Sequence, residues 1–213
     1  MIEESAYRTQ LWRYYDRRVE EVEATGLARA VEYWHGLGVA VSVSAIESED
    51  TQVREVLHSL GPALFLEVGS GPGTYTSAIP GRGIALEQSA AALRVLLACV
   101  SGVPAVRANA LALPLRDASV ERVFAGHIYG ILDEAGRHAL LSEARRVARE
   151  VVVVDSGRPA GVPAEHWQQR TIGQDSEVFS VLRRHFEAQE LADEIGGRVL
   201  FAGQYYVVVV TLK

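Results

Sequence analysis

The residues best suited to chemistry are the run Glu67-Val68-Gly69-Ser70-Gly71-Pro72-Gly73 and a second acid, Glu87. Glycines let a backbone turn sharply and admit a ligand against the main chain with no Cβ in the way. The spacing is G-x-G-x-G rather than the G-x-G-x-x-G of dinucleotide sites, and Pro72 removes an amide donor that a pyrophosphate would use. Glu67 sets a carboxylate beside this loop, which repels phosphate and attracts a cation through charge-assisted hydrogen bonds. Glu87 ends the next apolar run, where an acid can accept hydrogen bonds from both ribose hydroxyls. Together these residues describe a ligand with a ribose and an ammonium but no phosphate. A further group, Ala125-Gly126-His127-Ile128-Tyr129-Gly130, follows another apolar run. His127 is the first candidate there to orient an acceptor or take its proton, because imidazole changes charge near neutral pH, and Tyr129 is the second. No catalytic triad is evident. The only cysteine is Cys99, which excludes an intramolecular disulfide and zinc-finger or iron–sulfur frameworks, and no metal is expected.

The elements that must hold these residues follow from hydrophobic pattern. Residues 63–68, 83–87, 103–107 and 120–125 are short apolar runs that predict strands. Val151-Val152-Val153-Val154-Asp155 predicts a strand buried on both faces. Helices are predicted from Ser89 to Val100, from Asp133 to Arg149 and from Ala188 to Ile195. Strand alternating with helix predicts a parallel sheet with right-handed crossovers. The last runs, Arg198–Phe201 and Tyr205–Leu212, are too close together for a crossover and predict an antiparallel hairpin. The expected fold is therefore a Rossmann-like three-layer α/β sandwich with a seven-stranded, mostly parallel sheet. Residues 1–58 are expected to be helical, with Trp12, Tyr14, Tyr15, Val19 and Val22 as an apolar stripe and Arg17, Arg18, Glu20, Glu21 and Glu23 solvated. A helix from Ser48 to Leu60 is predicted there, capped by Ser48 or Asp50. Residues 156–187, with Pro159, Gly161 and Pro163, read as a loop followed by Arg170, Arg183, Arg184 and His185.

In this setting the chain resembles the class I S-adenosylmethionine (SAM)-dependent methyltransferases over residues 63–213. "LFLEVGSGPGTYT" is similar to the family's first motif, "GIALEQS" to its second-strand acidic motif, and "LLSEARRVAREVVVVD" to its helix and fifth strand. "VRANALALPLRDASVERV" resembles the third and fourth strands of the ubiquinone-methylase-like branch. The resemblance implies SAM as cofactor and S-adenosylhomocysteine (SAH) as product. It places Glu67, Gly69, Ser70, Gly71 and Gly73 at the methionine end, Glu87 on the ribose and Gln88 beside the adenine. Asn109, with Ala110, stands where the branch carries an Asp for the adenine amino group; an amide oxygen still accepts that bond with one charge fewer. His127 then falls beside the cofactor as well as the acceptor, and Tyr129 at the acceptor. The family often uses its N-terminal segment as a lid, a role that Tyr7, Trp12, Tyr14 and Tyr15 would share. "QQRTIGQDSEVFSVLRRHF" is loosely similar to a stretch in some bacterial small-acid O-methyltransferases, where arginines would pair with an anionic acceptor.

Composition narrows the alternatives. The 213 residues suit one domain, with a helical segment over 1–58 and a core over 63–213. Lys plus Arg number 21 against 27 Asp plus Glu, a net charge of −6, which argues against a nucleic-acid partner. The expected function is methyl transfer to an O or N atom of a small molecule. An RNA methyltransferase lacks support from a basic aromatic module or an Asn-Pro-Pro-Tyr-like motif. A non-catalytic SAM-binding module remains a second alternative. A nicotinamide dehydrogenase is disfavoured by the glycine spacing and Glu67. The amino-terminal residues lack the basic start and apolar run of a secretory signal, and no run approaches the ~20 residues that span a bilayer, so a cytoplasmic protein without membrane partner is expected.

Overall fold

The computed structural model describes residues 4–22, 26–172 and 177–211. Seven strands form one sheet: β1 (Ala63–Val68), β2 (Gly81–Glu87), β3 (Ala105–Arg107), β4 (Arg122–Gly126), β5 (Glu150–Ser156), β8 (Gly197–Ala202) and β9 (Tyr206–Thr211). Their order is β3-β2-β1-β4-β5-β9-β8. The first five are parallel, and β9 runs antiparallel between β5 and β8. The expected architecture is therefore present. The strand order reverses between β1 and β4, the place where open α/β sheets hold ligands beyond the strand carboxyl ends.

Period-two alternation in β5 builds two cores at once. Val151 and Val153 pack with Leu140, Ala144 and Val147 of helix α5 (Glu134–Val147), whereas Val152 and Val154 pack with Val53 and Leu57 of α3 (Val43–Ser59). Leu140, Ala144 and Val147 are buried, Ala139 is half-buried, and Arg145 and Arg149 are exposed. Helix α4 (Ala90–Cys99) is capped by Ser89, and α6 is Ala188–Glu194. Among the described residues no helix is long and apolar enough to cross a membrane.

Three expectations are corrected. Helix α3 begins five residues before Ser48, because the Ser42 hydroxyl accepts from Ala45 N at 3.2 Å and Ile46 falls on the buried face with Val53 and Leu57. Asp50 lies inside the helix, where its carboxylate accepts from Arg54 Nε at 2.7 Å. In α1 (Glu4–Val22) the buried stripe is Tyr7, Leu11, Tyr14 and Val19, while Trp12 is exposed. The side chains of Glu20, Glu21 and Val22, with Glu23 and Leu212, lie outside the described residues. Finally, residues 156–187 are not simply a loop. They contain β6 (Glu165–Ile172) and β7 (Glu177–Arg184), a separate antiparallel pair.

Candidate functional site

The loop after β1 and the loop after β4 face one cavity of about 1390 Å³, roofed by α1, by α2 (Gly26–Gly36) and by the β6–β7 pair. Gly69 has φ +63, and a Cβ there would lie 2.6 Å from Ile128 Cδ1, so only glycine lets the two loops meet. Gly71 has φ +55, and a Cβ there would touch nothing within 4 Å; its backbone faces open cavity. Glu87 ties this loop down, accepting from Gly71 N at 2.9 Å with one oxygen and from Gln88 N and Ser89 N, at 2.7 and 2.8 Å, with the other. Ser70 Oγ is buried with no hydrogen-bond partner.

Glu67 is 2% exposed, and its carboxylate accepts from Thr76 Oγ1 at 2.6 Å. Burial pushes its pKa up to about 7, the Thr76 bond opposes the shift, and nearby Glu87 adds to it. A buried acid held near neutrality beside an open backbone is a receptor for a cation. The orphaned Ser70 hydroxyl and the bare Gly71 backbone point into the same space. These residues fit the ammonium, carboxylate and ribose of SAM.

At the adenine side, Gln88, Asn109 and Ala110 line the cavity. Asn109 Oδ1 already accepts from Leu111 N at 2.9 Å, closing an Asx turn, so one lone pair and the amide NH2 remain for a ligand.

His127 closes the far wall. Its backbone is left-handed, φ +55, and its N–H donates to Val154 O at 2.8 Å. The imidazole sits between the Tyr75 and Tyr206 rings, with centroids 5.8 and 5.5 Å away. Nε2 is 3.4 Å from the Tyr75 hydroxyl, and Nδ1 is 3.9 Å from the buried Asp155 carboxylate. Asp155 is held by Gly130 N and Ser156 N, each at 2.8 Å. Burial raises the Tyr75 pKa well above its ordinary range, so its hydroxyl stays protonated.

Tyr129 is not brought to the cavity, which corrects its sequence assignment. The left-handed turn at His127 sends Tyr129 into the core, where its hydroxyl donates to Glu194 Oε1 at 2.9 Å. Arg184 is likewise engaged elsewhere, with Glu194 at 3.1 Å and Glu165 at 3.9 Å. His185 is buried with its Nε2 2.6 Å from the Tyr33 hydroxyl and Nδ1 3.2 Å from Pro163 O, and burial lowers its pKa to about 4. Arg170 and Arg183 do face the cavity. The helix α1 residues expected as a lid divide: Tyr14, Tyr15 and Trp12 line the cavity, and Tyr7 clamps the roof instead, donating to Ile131 O at 2.7 Å and accepting from Leu182 N at 3.1 Å. Sequence reasoning missed Tyr33, Tyr75, His166 and Tyr206. Only Tyr75 stood within a recognised motif; the others are brought in by tertiary packing.

Residues 66–152 match a family model described as a methyltransferase domain. Comparison with curated protein sequences finds no significant match. The DhpI–SAH complex superposes with a TM-score of 0.68 at 20% identity, covering 96% of this chain and 95% of that one. The DhpI–SAM–HEP complex gives 0.68 at 19% identity, covering 96% of each. The glycopeptide N-methyltransferase MtfA bound to SAM gives 0.55 at 19% identity, covering 76% of this chain and 93% of that one. The fold is that of the SAM-dependent methyltransferases. The domain match together with these structures supports SAM as the cofactor.

Proposed function

We propose that this chain transfers the methyl group of SAM to an O or N atom of a small molecule held in the cavity. One observation carries the reading: the open Gly71 backbone, the near-neutral buried Glu67 and the imidazole of His127 border one cavity at the sheet's switch point. Its volume of about 1390 Å³ exceeds the ~300–1,000 Å³ usual for a single ligand, leaving room for cofactor and acceptor together. When bound, SAM supplies a methyl group already activated on a sulfonium. Glu67 would hold the ammonium, Glu87 the ribose hydroxyls, and Gln88, Asn109 and Ala110 the adenine. The chain's main contribution is then alignment of the acceptor, which by itself can lower a barrier by roughly 7–11 kcal/mol. For a protonated acceptor, His127 takes the proton. The segment from Val106 to Val123 supports membership of the ubiquinone-methylase-like branch.

Calorimetric titration with SAM and SAH, with NAD as control, tests this directly. Micromolar binding of both adenosyl ligands and none of NAD is expected. Gly71→Val sets a branched side chain at a left-handed position facing the cavity, and should abolish SAM binding. Unchanged affinity in that variant would remove the loop from the cofactor site.

A further inference from the structure

The roof of the cavity carries cations that the methyl-transfer chemistry does not use. Arg170 projects from β6 and Arg183 from the paired β7, and their guanidinium carbons lie 5.5 and 6.0 Å from the centroid of one ring, Tyr33. Among the described residues neither arginine forms an ion pair. Arg170 donates only from Nε, to Gln168 Oε1 at 3.1 Å, and Arg183 Nε is buried with no partner at all. His166 Nδ1, on the same face, is also buried without a partner. The acid whose charge reaches Arg183 is Asp155, which forms no ion pair with it and whose oxygens already serve the Gly130 and Ser156 amides. Two half-buried guanidinium groups gathered on one ring repel one another, and each carries a planar fork of N–H donors matched to an oxyanion. Such an arrangement is costly unless a ligand of opposite charge completes it. Stacking on Tyr33 compensates part of the cost but satisfies none of the in-plane donors.

We propose that Arg170 and Arg183, framed by Tyr33 and His166, form a subsite for an oxyanion on the methyl acceptor, a carboxylate or a phospho group. The assignment rests on the methyltransferase reading for the word acceptor, but the oxyanion site itself does not. It also sorts the four sequence candidates, since Arg184 pairs with Glu194 and His185 with Tyr33, whereas among the described residues Arg170 and Arg183 have no carboxylate partner.

The test titrates inorganic phosphate, methylphosphonate and acetate, each into the free and the SAH-loaded protein, for the parent and for Arg170→Gln and Arg183→Gln. Binding of at least one anion is expected, weakened about tenfold or more in each variant, with SAM and SAH affinity within about twofold of the parent. Preference for phosphate and methylphosphonate, or for acetate, identifies the anion class. Arg183→Lys keeps a charge without the fork; it guards against misfolding of the glutamine variant and should recover only part of the affinity. Anion affinity equal in parent and variants, or no anion binding to either form of the parent, overturns the proposal. Loss of SAM affinity in the arginine variants also overturns it, assigning the cations to the cofactor carboxylate. Failure of SAM and SAH to bind the parent while anion binding responds to Arg170 and Arg183 would instead sink the cofactor reading and leave the oxyanion site standing.

Discussion

Glu67 couples cofactor binding to protons. Its pKa of about 7, set by burial, means that the apo site is largely protonated below neutrality. Pairing with an ammonium favours the carboxylate, so SAM should bind more weakly as pH falls from 8 to 6 and should release a proton on binding at the lower end. Calorimetry in two buffers of different ionisation enthalpy reads that proton, and Glu67→Gln should flatten the dependence. The stability sign follows. Between the unfolded value of 4.5 and about 7 the folded state binds more protons, so apo stability falls with rising pH across that window, by at most ~3 kcal/mol. His127→Ala carries a different signature: for a hydroxyl acceptor kcat should fall ~10²–10⁴-fold with SAM affinity kept. Retained turnover would leave His127 as packing between Tyr75 and Tyr206. At this scale the sequence was legible where the chemistry is local, as at Glu67, Gly69, Gly71 and Glu87, which border the cavity; Gly73, expected at the same site, instead packs on Val100, where a Cβ would lie 2.8 Å from Cγ2. It was not legible at Tyr129, whose direction depends on a left-handed His127 that no residue type announces.

Among the elements, β5 and the β8–β9 hairpin could be read from valine runs and a short connection, because burial on both faces leaves a purely apolar signature. The β6–β7 pair could not. Its inward positions on β6 are His166, Gln168 and Arg170 while Trp167 is exposed, so the alternation is one of function rather than hydrophobicity. Helix α3 is misplaced in the sequence for a related reason: Ser48 and Asp50 are good caps by residue type, and only the burial of Ile46 with Val53 and Leu57 moves the start back to Ser42. What fastens the roof is Tyr7, whose hydroxyl bridges Ile131 O, in the turn after β4, to Leu182 N of β7. The rings of Tyr7 and Trp167, 5.0 Å apart, and of Tyr14 and Phe179, 5.7 Å apart, extend that contact. Tyr7→Phe should leave the Ile131 and Leu182 groups unpaired at a cost of ~1–3 kcal/mol. Hydrogen exchange should then quicken at Val181 and Leu182 while amides of β1, β4 and β5 keep their protection. Equal protection of β7 in the two proteins would show that the aromatic contacts alone hold the roof.

For the molecule as a whole, the cavity floor and its roof differ in how they are stabilised. The floor is the parallel sheet, whose strands are sandwiched between two apolar cores. The roof is α1, α2 and the β6–β7 pair, which meet around side chains such as Arg18, Tyr33 and Arg170 that border the cavity itself. Tyr7, Tyr14, Ile172 and Phe179 tie this roof into the main core, and a ligand filling the cavity adds contacts to its inner side as well as to the sheet. Binding to the native state alone stabilises by RT ln(1 + [L]/Kd), or ~2.7 kcal/mol at a hundredfold excess over Kd. For a chain of 213 residues each kcal/mol raises Tm by about 2–4 °C, so SAM or SAH should raise it by roughly 5–11 °C. The gain should not be uniform. Limited proteolysis with SAH present should slow cleavage in residues 26–42 and 157–187 more than in the sheet, because local opening of the roof is what the ligand opposes. A Tm rise with unchanged cleavage of those segments would mean that the cofactor is held by the floor alone, and that the roof closes only when the acceptor arrives.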